Sequence, residues 1–271
     1  MGIRRSTLAT GLWISVAGAS AQAKMMDLMA NHLANVNTPG FKKDMAVFQS
    51  YFLEEEKKGM SSAVPAVPMR DEEFYFLEGR DQAYVVMEGI YPSFQAGGLR
   101  ATDKNLDLAL EGDGFFEIST PHGIFYTRCG NFKKGPDGRL LTSQGDPVLA
   151  IGALHSWIDL KNDFGPIQVN AKGEIFSGED RVAQLSIVEF KDLNQLEKVG
   201  NQYFRNKNAE NIFSSSKTIV HQGMIESSNV NPIEEMSQLI LAHRMFEYQL
   251  KSLKTYEALM AKEANEIGRL R

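Results

Sequence analysis

The sequence predicts an α+β fold in which N- and C-terminal helices pair as a coiled-coil-like layer and a β-rich domain forms the middle. Three observations carry this. Leu12, Val16, Ala19, Ala23, Met26, Ala30 and Leu33 recur in alternating steps of four and three, which lays them along one seam of a helix. Met236, Leu239, Phe246, Leu250, Leu253, Met260, Ala264 and Ile267 repeat that rhythm near the other end, interrupted only by His243 and Glu257. Between the two, apolar runs shorten to strand length and are punctuated by glycine, proline, asparagine and aspartate.

The first seam is rich in alanine, which favours close helix approach but buries little area per residue. A lone helix of this kind is marginal in water, because its stability comes from covering the apolar face. The cover is the other terminus or another molecule; an ordinary globular protein whose first and last helices pack together has the same spacing. Asn35-Val36-Asn37-Thr38-Pro39-Gly40-Phe41 stops the helix, since proline cannot continue it and glycine can take positive φ. Asn31 and Asn35 share a face just before the break, where their amides can cap the helix end or reach an adjacent chain.

Met45, Phe48, Tyr51, Phe52 and Leu53 read as one more apolar helical face, ending at Glu54-Glu55-Glu56-Lys57-Lys58. Small residues and prolines from Gly59 to Pro68 read as a connector. Strand-like runs follow at Tyr84–Met87, Leu106–Leu110, Phe115–Ile118, Val182–Phe190 and Thr218–Ile225. Turns are read at Gly112-Asp113-Gly114, Pro121-His122-Gly123, Gly135-Pro136-Asp137-Gly138 and Gly145-Asp146-Pro147. Asn231 is the N-cap of the last helix, with Pro232 at its first position and Glu234 and Glu235 facing the positive end of its dipole. The expected organisation is a helix-and-turn segment at 1–58, a connector at 59–80, a β-rich domain at 81–226 and a C-terminal helix at 227–271.

At 271 residues with a formal charge of −5, the chain is long enough for a real core and too weakly charged, without a basic aromatic stripe, to suggest nucleic acid. A single cysteine, Cys129, excludes an intrachain disulfide. Arg4 and Arg5 before an apolar stretch, then Ala19-Ser20-Ala21, imitate a signal peptide, but the seam runs through that point to Leu33, so a retained helix is expected. No stretch is long and apolar enough to insert into a membrane.

Chemistry is sparse. No third glycine completes Gly112 and Gly114, and there is no Walker pattern or G-x-S-x-G elbow. Asp103, Asn105 and Asp107 begin like a calcium loop, but Leu108 stands where glycine is required. The five histidines share no metal-ligand spacing, so neither cofactor nor metal is expected. Glu111 and Asp113 are the one carboxylate pair a secreted hydrolase could use, although flanking a turn they read as turn and solvation residues. A soluble periplasmic binding module starting near Lys24 is a further alternative. No catalytic constellation emerges, and an enzyme is not expected.

Ala30-Asn31-His32-Leu33-Ala34-Asn35-Val36-Asn37-Thr38-Pro39-Gly40-Phe41-Lys42 closely resembles the signature of bacterial flagellar rod and hook proteins. Asn105–Phe116, Tyr126–Phe132 with Asp137–Ser143 and Gly145, and Ser228–Met236 resemble three further blocks of that family in the same order. Within the family, Phe246–Lys251 with Lys254 and Thr255 is most similar to the proximal rod subunit, with the distal rod subunit next. Departures are the long basic start, His32 where asparagine is common, and Cys129 where a small or polar residue is common.

The resemblance implies a structural subunit of the flagellar basal-body rod, exported from the cytoplasm and assembled helically in the periplasm between the basal-body ring and the hook. It implies terminal helices lining the export channel with the β domain outside. The implied partners are copies of itself, other rod proteins, ring components and the export apparatus. The residues expected at the assembly interface are Leu12, Val16, Ala19, Met26, Leu33, Asn35, Asn37, Pro39, Gly40, Phe41, Met236, Leu239, Phe246, Leu250, Leu253 and Met260.

Overall fold

A computed structural model describes residues 2–53, 82–152, 156–160, 165–200, 202–214 and 217–269. It has a long helix at each end, α1 (Gly2–Ala34) and α2 (Pro232–Arg269), and strands between them. The chain divides into two compact units. A helical unit comprises Met1–Ala30, Ala46–Ile90 and Met236–Arg271; a β unit comprises Asn31–Met45 and Tyr91–Glu235.

Inside the helical unit, α1 and α2 meet through small residues. A Cβ on Gly11 would stand 2.7 Å from the Tyr256 ring, and one on Gly18 would stand 3.0 Å from the Gln249 amide. Ser15 Oγ lies 3.5 Å from Ser252 Oγ. Numbers rise along one helix as they fall along the other, so the two run antiparallel, and steps of four and three on α1 match the same steps on α2.

The stretch read as a helical face around Met45–Leu53 is instead a strand. β1 (Asp44–Leu53) pairs with β2 (Gln82–Pro92), which contains the predicted strand Tyr84–Met87. Val47 and Phe48 are β-branched or aromatic residues that suit a pleated surface, and a paired backbone overrides a short helical periodicity. The charged run and the connector expected at 59–80 lie outside the described residues.

The β unit is built on a six-stranded antiparallel sheet in the order Leu196–Val199, Tyr203–Asn206, Gly123–Thr127, Phe115–Thr120, Ile187–Phe190 and Ile212–Ser214. Successive side chains alternate between its faces. Phe116 and Ile118 accordingly join a large core with Leu108, Leu140, Val148, Ile158 and Leu185, while Phe115 joins a separate aromatic cluster with Tyr126, Phe190 and Phe204. The turns expected at Gly112, Gly123, Gly138 and Gly145 are present, each glycine having positive φ. Gly130 is needed for a different reason: a Cβ there would fall 1.6 Å from Leu108 O.

Candidate functional site

The segment that ends α1 is held deep in the β unit. Asn35 N–H is shared between the carbonyls of Asn31 and His32, at 3.1 Å each. Its side chain donates to Asn31 O at 2.9 Å and accepts from Thr38 Oγ1 at 3.1 Å, so Asn35 serves the helix end rather than a free surface. Gly40 then turns the chain with φ 64°, donating its N–H to Glu226 O at 2.8 Å. A Cβ on Gly40 would meet the Arg128 carbonyl carbon at 2.5 Å, so both space and conformation require glycine.

Phe41 and Lys42, at 0% and 1% exposure, are the plug that this turn inserts. Lys42 Nζ donates to Glu226 Oε1 and to Gln95 O, each at 2.7 Å, and Gly97 N–H donates to the same carboxylate oxygen at 2.9 Å. Arg128 Nη2 donates to Gly112 O at 2.6 Å, its guanidinium lies 4.8 Å from the Phe115 ring centroid, and its Nη1 stands 3.6 Å from Glu226 Oε2. Burial pulls the Lys42 ammonium below its ordinary range, with Glu226 pulling the other way. Burial also lowers the Arg128 guanidinium, opposed by Glu226, Asp113 and Glu189. Lys198 covers Phe41, 4.1 Å from the ring centroid, and donates to Lys42 O at 2.7 Å and Asp44 Oδ2 at 2.8 Å.

Asn229 finishes the joint. Its Oδ1 accepts from Lys43 N–H at 2.7 Å and its amide donates to Ser93 O at 2.9 Å, binding three stretches of chain together. Two residues on, Asn231 Oδ1 accepts Ile233 N–H at 3.2 Å, the N-cap expected for α2. Sequence reading singled out Gly40 and Asn231 but missed Lys42, Arg128, Glu226 and Asn229 as one group. The signal available was weak: a lysine after Gly-Phe and an acid before Ser-Ser-Asn.

Among the other residues expected at an interface, Ala19 is buried; Leu12, Met26, Leu33, Pro39, Leu239, Phe246, Leu253 and Met260 are half-buried; and Val16, Asn37, Met236 and Leu250 are exposed. The small residues Gly11, Ser15 and Gly18 that face α2 each sit one position before Leu12, Val16 and Ala19. Large apolar side chains stand on the exposed sides of both helices: Trp13 is 69% exposed and Tyr248 66%, accompanied by Met236, Ile240, Leu241 and Met245. Glu111 is paired with His221 at 2.7 Å on an open surface, and no group of metal-ligating side chains exists among the described residues.

Three family patterns cover the chain in order. They are the flagella basal body rod protein at 12–42, the flagellar hook protein FlgE/F/G D1 domain at 109–177, and the flagellar basal body rod FlgEFG protein C-terminal region at 221–267. The chain is 30% identical to the flagellar basal-body rod protein FlgF of Caulobacter vibrioides, over 96% of its own length and 98% of the relative's. It belongs to the flagellar basal-body rod proteins. It is also 31% identical to the rod protein FlgG of Buchnera aphidicola subsp. Acyrthosiphon pisum, over 93% and 97% of the two lengths. For Borreliella burgdorferi FlgG the figures are 29%, 92% and 95%. A basal-body rod protein is a structural subunit and not an enzyme, which fits a molecule whose ordered polar groups secure a joint.

Proposed function

We propose that this subunit enters the rod through the exposed apolar sides of α1 and α2, in a heterologous interface that does not close into a ring. The observation that carries this reading is the run of large apolar side chains left exposed along the first half of α2. Gln249, Ser252 and Tyr256 face α1, while Met236, Ile240, Leu241, Met245 and Tyr248 are exposed. In a rod the two helices form a coiled-coil-like inner layer lining the export channel, and the β unit lies outside it. Residues 2–30 and 236–269 then belong to the core layer and 91–226 to the outer domain. The partners are further copies, other rod proteins, ring components and the export apparatus, met in the periplasm after export from the cytoplasm.

The proximal position is favoured by Phe246-Glu247-Tyr248-Gln249-Leu250-Lys251, and the distal position by the FlgG relative at 31% identity. The core test replaces Ile240, Leu241 and Met245 with serine and assays purified basal bodies by mass spectrometry. The variant should be made and folded yet absent from basal bodies; wild-type amounts there would overturn the reading. Basal bodies stalled before distal-rod growth separate the positions, since a proximal subunit is retained in them and a distal one is missing.

A further inference from the structure

His32 sits in the β unit with 3% exposure and uses both ring nitrogens. Nδ1 lies 2.9 Å from Glu235 Oε2, linking the last turn of α1 to the first turn of α2. Nε2 lies 3.0 Å from the backbone nitrogen of Asp44. A backbone N–H can only donate, so Nε2 carries the lone pair and Nδ1 the proton. The ring is therefore neutral here, and its two bonds differ in kind. Protonation keeps Nδ1–H···Glu235 and makes it charge-assisted, but turns Nε2 into a donor facing another donor.

The other charged groups around the ring do not replace the lost acceptor. Lys43 Nζ stands 3.8 Å from Glu235 Oε1 and shares that carboxylate, while the Asp44 carboxylate is held by Lys198 at 2.8 Å. Phe41 presents an edge 6.3 Å away, centroid to centroid, and offers no hydrogen bond of comparable strength.

We propose that His32 is a proton-operated positioning residue: neutral, it ties the start of β1 to the clasp between the two helix ends; protonated, it releases Asp44 and keeps the helix clasp. The inference concerns the joint alone and stands apart from rod incorporation, so normal incorporation with a failed latch, or the reverse, separates the two readings.

The test uses the full-length chain, labelled with 15N-histidine and followed by NMR and by amide hydrogen exchange from about pH 8 to about pH 5, the range in which histidine titrates. At the upper end His32 Nδ1 should carry the proton and Nε2 should not. On acidification the Asp44 amide, corrected for intrinsic exchange, should lose about tenfold of its protection, as for a lost hydrogen bond. In H32N, whose side chain does not titrate, that protection should be independent of pH. An Nε2–H tautomer in the wild type, protection at Asp44 that does not change with pH, or an equal fall in H32N would overturn the proposal.

Discussion

The two units of this rod protein solve the problem of apolar surface in opposite ways. The β unit closes on itself: Phe116, Ile118, Val148, Ile158 and Leu185 are fully buried, and even its charges are turned inward and joined at Lys42, Glu226 and Arg128. The helical unit spends its small residues, Gly11, Ser15 and Gly18, on the contact between α1 and α2 and leaves Trp13, Ile240, Leu241, Met245 and Tyr248 exposed. On the proposed reading, neighbours in the rod complete the helical unit. Such a division suits a subunit that must stay unassembled until it reaches its place, because helices with a thin seam gain most of their stability from what covers them.

The β unit is most sensitive at Gly40. Gly40→Ala should destabilise the β unit by about 3–5 kcal/mol, because it adds a main-chain clash to an unfavourable φ. Urea unfolding followed by tryptophan and tyrosine fluorescence would register it, and a loss under 1 kcal/mol on this scale would mean the joint is soft. Next is Lys42→Met, which leaves the Glu226 carboxylate buried beside one cation instead of two and should cost about 3 kcal/mol. Adding Glu226→Met to it should not recover the whole loss, because Arg128 then loses the first of its three carboxylate partners while staying buried.

On the helices, the triple serine variant at Ile240, Leu241 and Met245 should change β-unit stability by less than about 0.5 kcal/mol while removing the subunit from rods. A similar drop in β-unit stability would show that the two units are not independent in this respect. The smallest effect concerns Cys129. Burial pushes its thiol up to about 11 from a usual value of 9.0. Between these values the unfolded chain binds fewer protons than the folded one, so stability present below pH 9 should decline as pH rises toward 11. Cys129→Ser should flatten the first part of that decline, and a thiol reagent near neutral pH should label Cys129 only on unfolding.

The architecture was largely legible because it rests on local signals. Pro39-Gly40 and Asn231-Pro232 fix where helices stop and start, and glycine-aspartate turns space the strands. Three features were obscured. The apolar periodicity of Met45, Phe48 and Tyr51 suits a helix until Gln82–Pro92 supplies a backbone to pair with, and that partner is distant in sequence. The facing seam was read one residue late, because a search for apolar residues selects Leu12 and Val16, whereas close packing selects Gly11 and Ser15, which have almost no side chain to notice. The buried group at Lys42 was hidden for a related reason: Lys42, Arg128 and Glu226 are far apart in the chain, and each alone reads as a solvated charge.

The most direct measurement is amide hydrogen exchange on the free subunit and on the same subunit within purified rods. The β unit, residues 31–45 and 91–235, should be equally protected in both. Residues 11–30 and 236–269 should exchange rapidly in the free chain and slow markedly in rods, as their exposed apolar sides are covered. Terminal helices protected to the same degree in the free chain would contradict the claim that neighbours complete this unit.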